Sequence, residues 1–176
     1  MGASRADLVT DRVTAPEDAW VDRVRTVYDE VSPSLWRAVL AWSASTDVAD
    51  EAVADGFAQL LRRGPEVRDP AAWVWRATFR LAAGDLRRRR ARRGDDESSL
   101  DSMVGPVDRL PDDAVDLVRA LAHLSDQQRR CVVLVDVAGH TAPSAAAVLG
   151  TTAATVRVQL MRARRRLRDL LTEEDP

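Results

Sequence analysis

The chain has 176 residues, of which 45 % are hydrophobic and 31 % are charged, and its formal net charge is −2. That length fits one ordinary domain or two small ones, and the apolar share is enough for a packed core. The single cysteine, Cys131, excludes an intramolecular disulfide, and there is neither a membrane-length apolar run nor a signal-peptide core. We therefore expect a cytoplasmic protein without direct membrane contact.

The basic charge is unusual in kind and in place. The sequence holds 26 basic residues and all of them are arginine, so every cation can make forked contacts to phosphate or guanine. They cluster at 87–93 and 157–168, although the chain as a whole is slightly acidic. Two separated basic elements on such a chain predict weak DNA binding by the protein alone and a requirement for a partner.

The first half has a purely helical pattern. Residues 1–15 lack periodicity and are expected to form a mobile arm. Apolar spacing and cap signals then predict four helices and no strand. We expect the first helix at about 16–30, and the second from Ser32 as N-cap with Pro33 as its first residue. The third should run from near Thr46 to before Gly64, and the fourth from Asp69-Pro70 into the arginine run.

The composition changes at residues 94–111, which are rich in Gly, Ser, Pro and acidic residues and are predicted to be a flexible linker. A helix is expected at about 112–123. Ser125 and Gln128 then fit a capping box at the start of a helix that stops at Gly139. The second half is therefore helical as well.

Residues 139–167 have the pattern of a helix-turn-helix. Thr141 is a good N-cap, Pro143 falls in the first turn, and Gly150 is placed to end the helix in a left-handed conformation, after which Thr151 or Thr152 can cap the next helix. The second helix carries one apolar stripe at helical spacing: Val156, Leu160, Ala163, Leu167 and Leu170.

In this motif class the second helix enters the major groove, and its N-terminal residues reach base edges. Arg157 and Gln159 therefore suit base or phosphate contacts, and Arg162, Arg164 and Arg165 suit phosphates. A solvated basic helix in a plain bundle is the alternative for this segment.

Three segments in order resemble the extracytoplasmic-function (ECF) class of bacterial RNA polymerase sigma factors, and the likeness covers about residues 17–171. Residues 69–76 and 84–90 are similar to the helix that binds the −10 element, and residues 50–57 to the acidic helix that docks on polymerase. Residues 124–139 and the helix-turn-helix are similar to the domain that binds the −35 element. The chain departs from the family pattern at Ala54, Arg80, Gly84, Pro143, Ser144 and Val158.

The resemblance implies an all-α fold of two small helical domains joined by a flexible acidic linker. Domain two would cover 16–93, and domain four 112–176 with its helix-turn-helix at about 141–171. It implies binding to core RNA polymerase, through the clamp helices of the largest subunit and the flap of the second subunit, and to promoter DNA. It also implies an anti-sigma factor, and no cofactor, metal or catalytic residue, since a sigma factor is not an enzyme.

The resemblance also implies the binding residues. For the −35 element they are Thr152, Thr155, Arg157, Gln159, Arg162, Arg164 and Arg165. For the −10 element they are Arg62, Arg63, Trp75, Arg76, Arg80, Arg87 and Arg88. For core polymerase they are Asp50, Glu51 and Asp55, which would otherwise be a solvated helix face. Trp73 is expected in the core, and Trp75, about 200° round the helix from it, is expected to be exposed for base stacking.

Three other functions compete with this one. A dimeric helix-turn-helix regulator would bind operators without polymerase, but the sequence has no coiled-coil heptads. An enzyme would need a metal-ligand spacing, a phosphate loop or a nucleophile motif, none of which is found, and His123 and His140 are expected to have ordinary surface roles. A helical adaptor would not explain the arginine-studded helix.

Overall fold

The computed structural model describes residues 16–93 and 112–173. In these ranges every regular element is helical, which confirms the predicted all-α class. The predicted arm at 1–15 and the predicted linker at 94–111 lie outside the described residues. The helices are α1 Pro16–Ser43, α2 Thr46–Arg63, α3 Pro70–Arg93, α4 Asp112–Ala122, α5 Asp126–Val132, which continues as a π-helical segment Val133–Val137, α6 Ala142–Leu149 and α7 Ala153–Glu173.

Helix α1 corrects one prediction, because it runs unbroken through Pro33, where a second helix was expected to begin. A proline inside a helix removes one backbone hydrogen bond. Here Val24 and Leu35, on either side of it, are both buried, and they lie about three helical turns apart on one stripe. The continuous apolar face offsets the missing hydrogen bond and keeps the helix whole.

Helices α1, α2 and α3 pack around an aromatic centre. Trp42 of α1 is 1 % exposed and stacks on Phe79 of α3, with ring centroids 5.4 Å apart. Helices α2 and α3 cross closely at Gly56, where an added Cβ would lie 2.3 Å from Thr78 Oγ1. This glycine is therefore needed for the close approach of the two backbones.

The cap signals of the second half are confirmed. Ser125 and Gln128 form both hydrogen bonds of a capping box at α5. The Thr141 hydroxyl accepts from the Ser144 backbone N–H at α6, and Gly150 ends α6 in the left-handed conformation with φ 66°. These local signals set the entry and exit of the helices that form the helix-turn-helix.

The two halves pack against each other. Helix α1 contacts α4 and the π-helical segment, and α3 contacts α6. Leu121, Leu134 and Ala145 of the second half belong to the same cluster of buried apolar residues as Trp42 and Phe79 of the first. The hydrophobic core therefore continues from one half into the other.

Candidate nucleic-acid interface

Helices α6 and α7 form the predicted helix-turn-helix. The turn between them is closed by Thr152, whose hydroxyl accepts from the Thr155 backbone N–H at 3.1 Å and lies 2.9 Å from the Thr155 hydroxyl. Val156, Leu160 and Ala163 of α7 are buried, as their spacing predicted. This stripe fixes which side of α7 remains accessible.

The accessible side carries most of the residues predicted to bind the −35 element. The side chains of Arg157, Arg162 and Arg165 are exposed, and Thr155 is half-buried at the start of the helix. Gln159 is half-buried and donates a long hydrogen bond of 3.4 Å to Gln127 of α5. With 100° per residue, Arg165 lies opposite the buried stripe, and Arg157 and Arg162 lie on its two flanks.

Arg164 differs from the other arginines because its guanidinium is forked onto Asp136, with N–O distances of 3.2 and 2.6 Å. The hydrogen bond to Asp136 and the negative charge of that carboxylate raise the pKa of Arg164. A phosphate contact by this side chain therefore has to compete with an existing ion pair.

Two apolar side chains share the accessible side of α7, and sequence reasoning did not place them in the site. Val158 is 42 % exposed and Met161 is 64 % exposed. They lie between Arg157 and Arg162, and Arg165 is close to them on the same face. Apolar side chains in the major groove contact the methyl group of thymine. Their position opposite the predicted stripe was the signal that could have found them.

A groove of about 630 Å³ runs along one flank of α7. Its apolar part is formed by Leu160, Met161 and Leu167. Its basic part is formed by Arg157, Arg164 and Arg168. The groove therefore joins the face that carries the exposed arginines.

Helix α3 carries a second basic face. Arg76, Arg80 and Arg87 are exposed and recur every four and seven residues, so they share one side of the helix. Arg88 is exposed too and pairs with Asp85 at 3.3 Å. Arg62 and Arg63 are exposed at the end of α2, just before the loop that leads into α3.

The expectation that Trp75 is exposed is wrong. Trp75 is 6 % exposed and stacks on Phe79 at 6.0 Å between ring centroids. Its other side meets the ring of His140, which packs edge-on at 4.4 Å. Residues near 140 come from the second half, so the burial of Trp75 is a consequence of tertiary contacts that helical periodicity does not contain.

Trp73 is the tryptophan on the arginine face of α3. It is half-buried, and it precedes Arg76 by three residues and Arg80 by seven, which places all three on one side of the helix. It packs at the edge of the core rather than inside it. The expectation that Trp73 lies in the core is therefore only partly met, and the spacing to the arginines was the missed signal.

The predicted polymerase-binding acids, Asp50, Glu51 and Asp55, are all exposed on α2. Two of them already have intramolecular partners. Asp50 accepts a hydrogen bond of 2.7 Å from the indole N–H of Trp36, and Glu51 pairs with Arg89 at 3.2 Å. These contacts hold the carboxylates in position on the surface of the helix.

The described residues hold no cluster of three or more metal-ligating side chains, and none of their helices has the length and apolar character of a membrane span. Burial shifts three further titratable groups in this part of the chain. It lowers the pKa of His140 and of Arg129, and it raises the pKa of the Cys131 thiol. Burial is the largest cause of each of these shifts.

Comparisons with known proteins agree with this arrangement. The family described as Sigma-70, region 4 matches residues 114–167, which include the helix-turn-helix. Two ECF RNA polymerase sigma factors SigM, from the Erdman and H37Rv strains of Mycobacterium tuberculosis, are each 31 % identical over 142 residues. Those residues cover 78 % of this chain and 71 % of each relative.

Solved structures show the same fold. CnrH, in complex with the cytosolic domain of CnrY, has a TM-score of 0.69 at 22 % identity, with 91 % of this chain and 94 % of that chain covered. RpoE of Bartonella quintana, in complex with the anti-sigma factor NepR, has a TM-score of 0.68 at 23 % identity, with 88 % and 99 % covered. With the basic faces of α3 and α7 and the identity to SigM, these findings show that the chain belongs to the ECF sigma factors, a family of non-catalytic RNA polymerase subunits.

Proposed function

We propose that the protein binds core RNA polymerase in the cytoplasm and directs it to promoters by reading a −35 element with α7 and a −10 element with α3. The observation that carries this proposal is the accessible face of α7, where exposed arginines surround Val158 and Met161 opposite the buried residues Val156, Leu160 and Ala163. Such a face suits a DNA groove, since arginine can contact phosphate and guanine and apolar side chains can contact thymine methyl groups.

For the −35 element, we assign base contacts to Arg157, Val158 and Met161 and phosphate contacts to Arg162 and Arg165. Arginine can donate two hydrogen bonds to guanine, and the apolar pair can meet thymine methyl groups. Thr152 and Thr155, at the start of α7, are placed to donate to the DNA backbone, as residues at helix N-termini commonly do. Gln159 and Arg164 would first exchange their partners Gln127 and Asp136.

For the −10 element, we assign the arginine face of α3, which includes Arg76, Arg80 and Arg87, to the phosphate backbone. Arg88 belongs to the same basic end of the helix. Arg62 and Arg63, beside the α2–α3 loop, are placed to contact a base that leaves the stack. Bases of opened DNA stack on aromatic rings, and Trp73 is the ring on this face, while Trp75 is covered in the structure.

For the polymerase, we assign Asp50, Glu51 and Asp55 to the clamp helices of the largest subunit, because exposed carboxylates complement a basic surface. The second half would meet the flap of the second subunit. The two structural neighbours are each bound to a second protein, CnrY or the anti-sigma factor NepR. We propose that an anti-sigma factor likewise binds this chain and holds it inactive.

Run-off transcription tests the proposal. Purified protein and core RNA polymerase are incubated with a pool of genomic promoter fragments from the same organism. Discrete transcripts that require the protein are expected, and their upstream sequences would define both elements. Absence of transcripts, together with tight operator binding by the protein alone, would instead support a helix-turn-helix regulator that acts without polymerase.

A further inference from the structure

Two of the three carboxylates assigned to the polymerase are held in different ways. Asp50 accepts a hydrogen bond of 2.7 Å from the indole N–H of Trp36, in α1. Glu51 pairs with the guanidinium of Arg89, in α3, at 3.2 Å. A neutral N–H donor fixes a carboxylate without compensating its charge, whereas a guanidinium brings a positive charge of its own. Asp50 is therefore fixed in place with its charge intact, while the charge of Glu51 is partly compensated.

The side chain of Trp36 is a firm support for this hydrogen bond. Trp36 is half-buried, and its ring packs against the hydrophobic core. A tryptophan presents an apolar body and a polar tip, so the body can be held by the core while the N–H reaches the surface. Only two rotatable bonds join the ring to the backbone, and packing of the ring leaves them little freedom. The position of the N–H donor is therefore set by the core.

Neighbours of Asp50 along α2 itself give less support. Side chains three and four positions apart are neighbours on the surface of a helix. Toward the C-terminus of α2 these are Val53 and Ala54, which have no polar side-chain atom. Asp47, three positions back, adds a like charge, which repels that of Asp50. The hydrogen bond from α1 thus holds a carboxylate that apolar groups and a like charge surround on its own helix.

A carboxylate that is already held in place binds a cationic partner at a lower cost than a mobile one. Immobilising a flexible side chain on binding costs conformational entropy, and this cost falls when the side chain is ordered beforehand. The indole N–H of Trp36 donates to Oδ1 of Asp50, so Oδ2 can accept from an arginine or lysine of the partner. The contact between α1 and α2 therefore prepares Asp50 for binding.

We propose that Trp36 is a positioning residue for the binding of core polymerase, because its indole N–H holds Asp50 in the orientation in which this carboxylate meets a basic surface of the polymerase. The inference rests on the proposed function, which assigns Asp50 to the polymerase, and it adds a residue of α1 to that site. Trp36 acts through Asp50, so loss of its N–H matters only while the carboxylate is present.

A double-mutant cycle on the full chain tests this role, with the dissociation constant for core polymerase measured by interferometry. Trp36→Phe keeps an aromatic ring but lacks the N–H, and it should raise the dissociation constant about two- to tenfold, the factor that corresponds to one hydrogen bond. Asp50→Ala should raise it by at least as much. In the Asp50→Ala background, Trp36→Phe should change the constant less than about twofold, because the two residues act as one unit.

The matched control is Trp20→Phe, the same substitution on the same helix. The indole N–H of Trp20 donates to the backbone carbonyl of Leu61, in α2, at 3.4 Å. The variant therefore loses a contact between α1 and α2, but no contact with a carboxylate, and it should leave the dissociation constant unchanged. An equal loss of affinity in this control would assign the effect of Trp36→Phe to the packing of α1 on α2 and overturn the positioning role.

Nuclear magnetic resonance tests the hydrogen bond in the free protein. The indole N–H resonance that is missing from the spectrum of Trp36→Phe belongs to Trp36. It should shift upfield in Asp50→Ala, since the acceptor is lost, and stay in place in Asp47→Ala, which removes an exposed acid one turn away. An unchanged resonance in Asp50→Ala would overturn the proposal, because Asp50 would then not be held by the indole.

The two measurements separate this inference from the proposed function. If the chain binds core polymerase and the effects of Trp36→Phe and Asp50→Ala multiply, the proposed function stands and the positioning role is wrong. If the unmodified chain does not bind core polymerase, although the indole resonance responds to Asp50→Ala, the proposed function is wrong. The hydrogen bond would then be a structural contact only, and the positioning role would be overturned with the function.

Discussion

The two basic faces of the molecule differ in the side chains that accompany their arginines. On α7 the exposed arginines lie beside the exposed side chains of Val158 and Met161, whereas on α3 the exposed Arg76 and Arg80 share their side with the half-buried Trp73, and Trp75 is covered by His140 from the other half. The contrast shows that tertiary contacts leave apolar side chains accessible on α7 and cover the tryptophans of α3 wholly or in part. Sequence pattern treats both helices alike, since it contains no information on which surfaces meet.

The largest effect is expected from reversal of charge on α7. Arg157→Glu with Arg162→Glu should lower −35-dependent transcription at least about 30-fold, since each contact contributes on the order of 1–3 kcal/mol. Run-off transcription measures the decrease, and co-purification with core polymerase should be unchanged. Arg25→Glu with Arg119→Glu makes the same change of charge at exposed positions outside the face. An equal decrease in transcription by that control would show that the effect comes from the change of net charge and not from the face of α7.

The close crossing of α2 and α3 offers a test of the first half alone. Gly56→Ala should destabilise the protein by about 1–3 kcal/mol, because the new Cβ would lie 2.3 Å from Thr78 Oγ1. Chemical denaturation measures the change. Thr78 Oγ1 is buried without a hydrogen-bond partner, so Thr78→Ala removes little and should restore most of the stability of Gly56→Ala. If the double variant were as unstable as Gly56→Ala, the contact with Thr78 would not be the cause of the destabilisation.

Prediction from sequence succeeded where the determinants are local. The caps at Ser125, Thr141 and Gly150 and the stripe on α7 were expected and observed, because each depends on residues within a few positions. Prediction from sequence failed where the structure depends on contacts between segments that are distant in the chain. Pro33 does not begin a new helix, because the packing of α1 on both sides outweighs one missing hydrogen bond.

The candidate site shows the same limit. The exposed arginines of α7 were predicted correctly as surface residues, but the forked pair of Arg164 with Asp136 joins residues in two different elements. Trp75 was misassigned because its neighbour His140 is distant in sequence. Trp73 could have been found by counting three and seven residues to Arg76 and Arg80, because that spacing is a local signal.

A smaller effect is expected at the turn of the helix-turn-helix. Gly150 has φ 66°, and nothing lies within 4 Å of an added Cβ, so Gly150→Ala changes backbone strain alone. The left-handed conformation should cost the variant about 1 kcal/mol of stability, measured by thermal denaturation. Gly84→Ala is a suitable control, because Gly84 lies inside α3, where alanine favours the helix and should not destabilise it. Equal destabilisation by both would argue against a conformational role for Gly150.

The smallest effect concerns pH. Burial lowers the pKa of His140 below its ordinary value of 6.5, so the unfolded chain binds the proton more readily than the folded one. With respect to this group, the free energy of unfolding is therefore highest above about pH 6.5 and decreases as the pH falls below that value. The side chains that contact His140 in the structure, Trp75 and Ser144, carry no charge that would reverse the sign. Chemical denaturation between pH 7.5 and pH 5.5 should show this decrease, and His140→Gln, which cannot titrate there, should flatten it. If His140→Gln retained the dependence, the proton would bind elsewhere, and the contact that covers Trp75 on α3 would not be sensitive to pH.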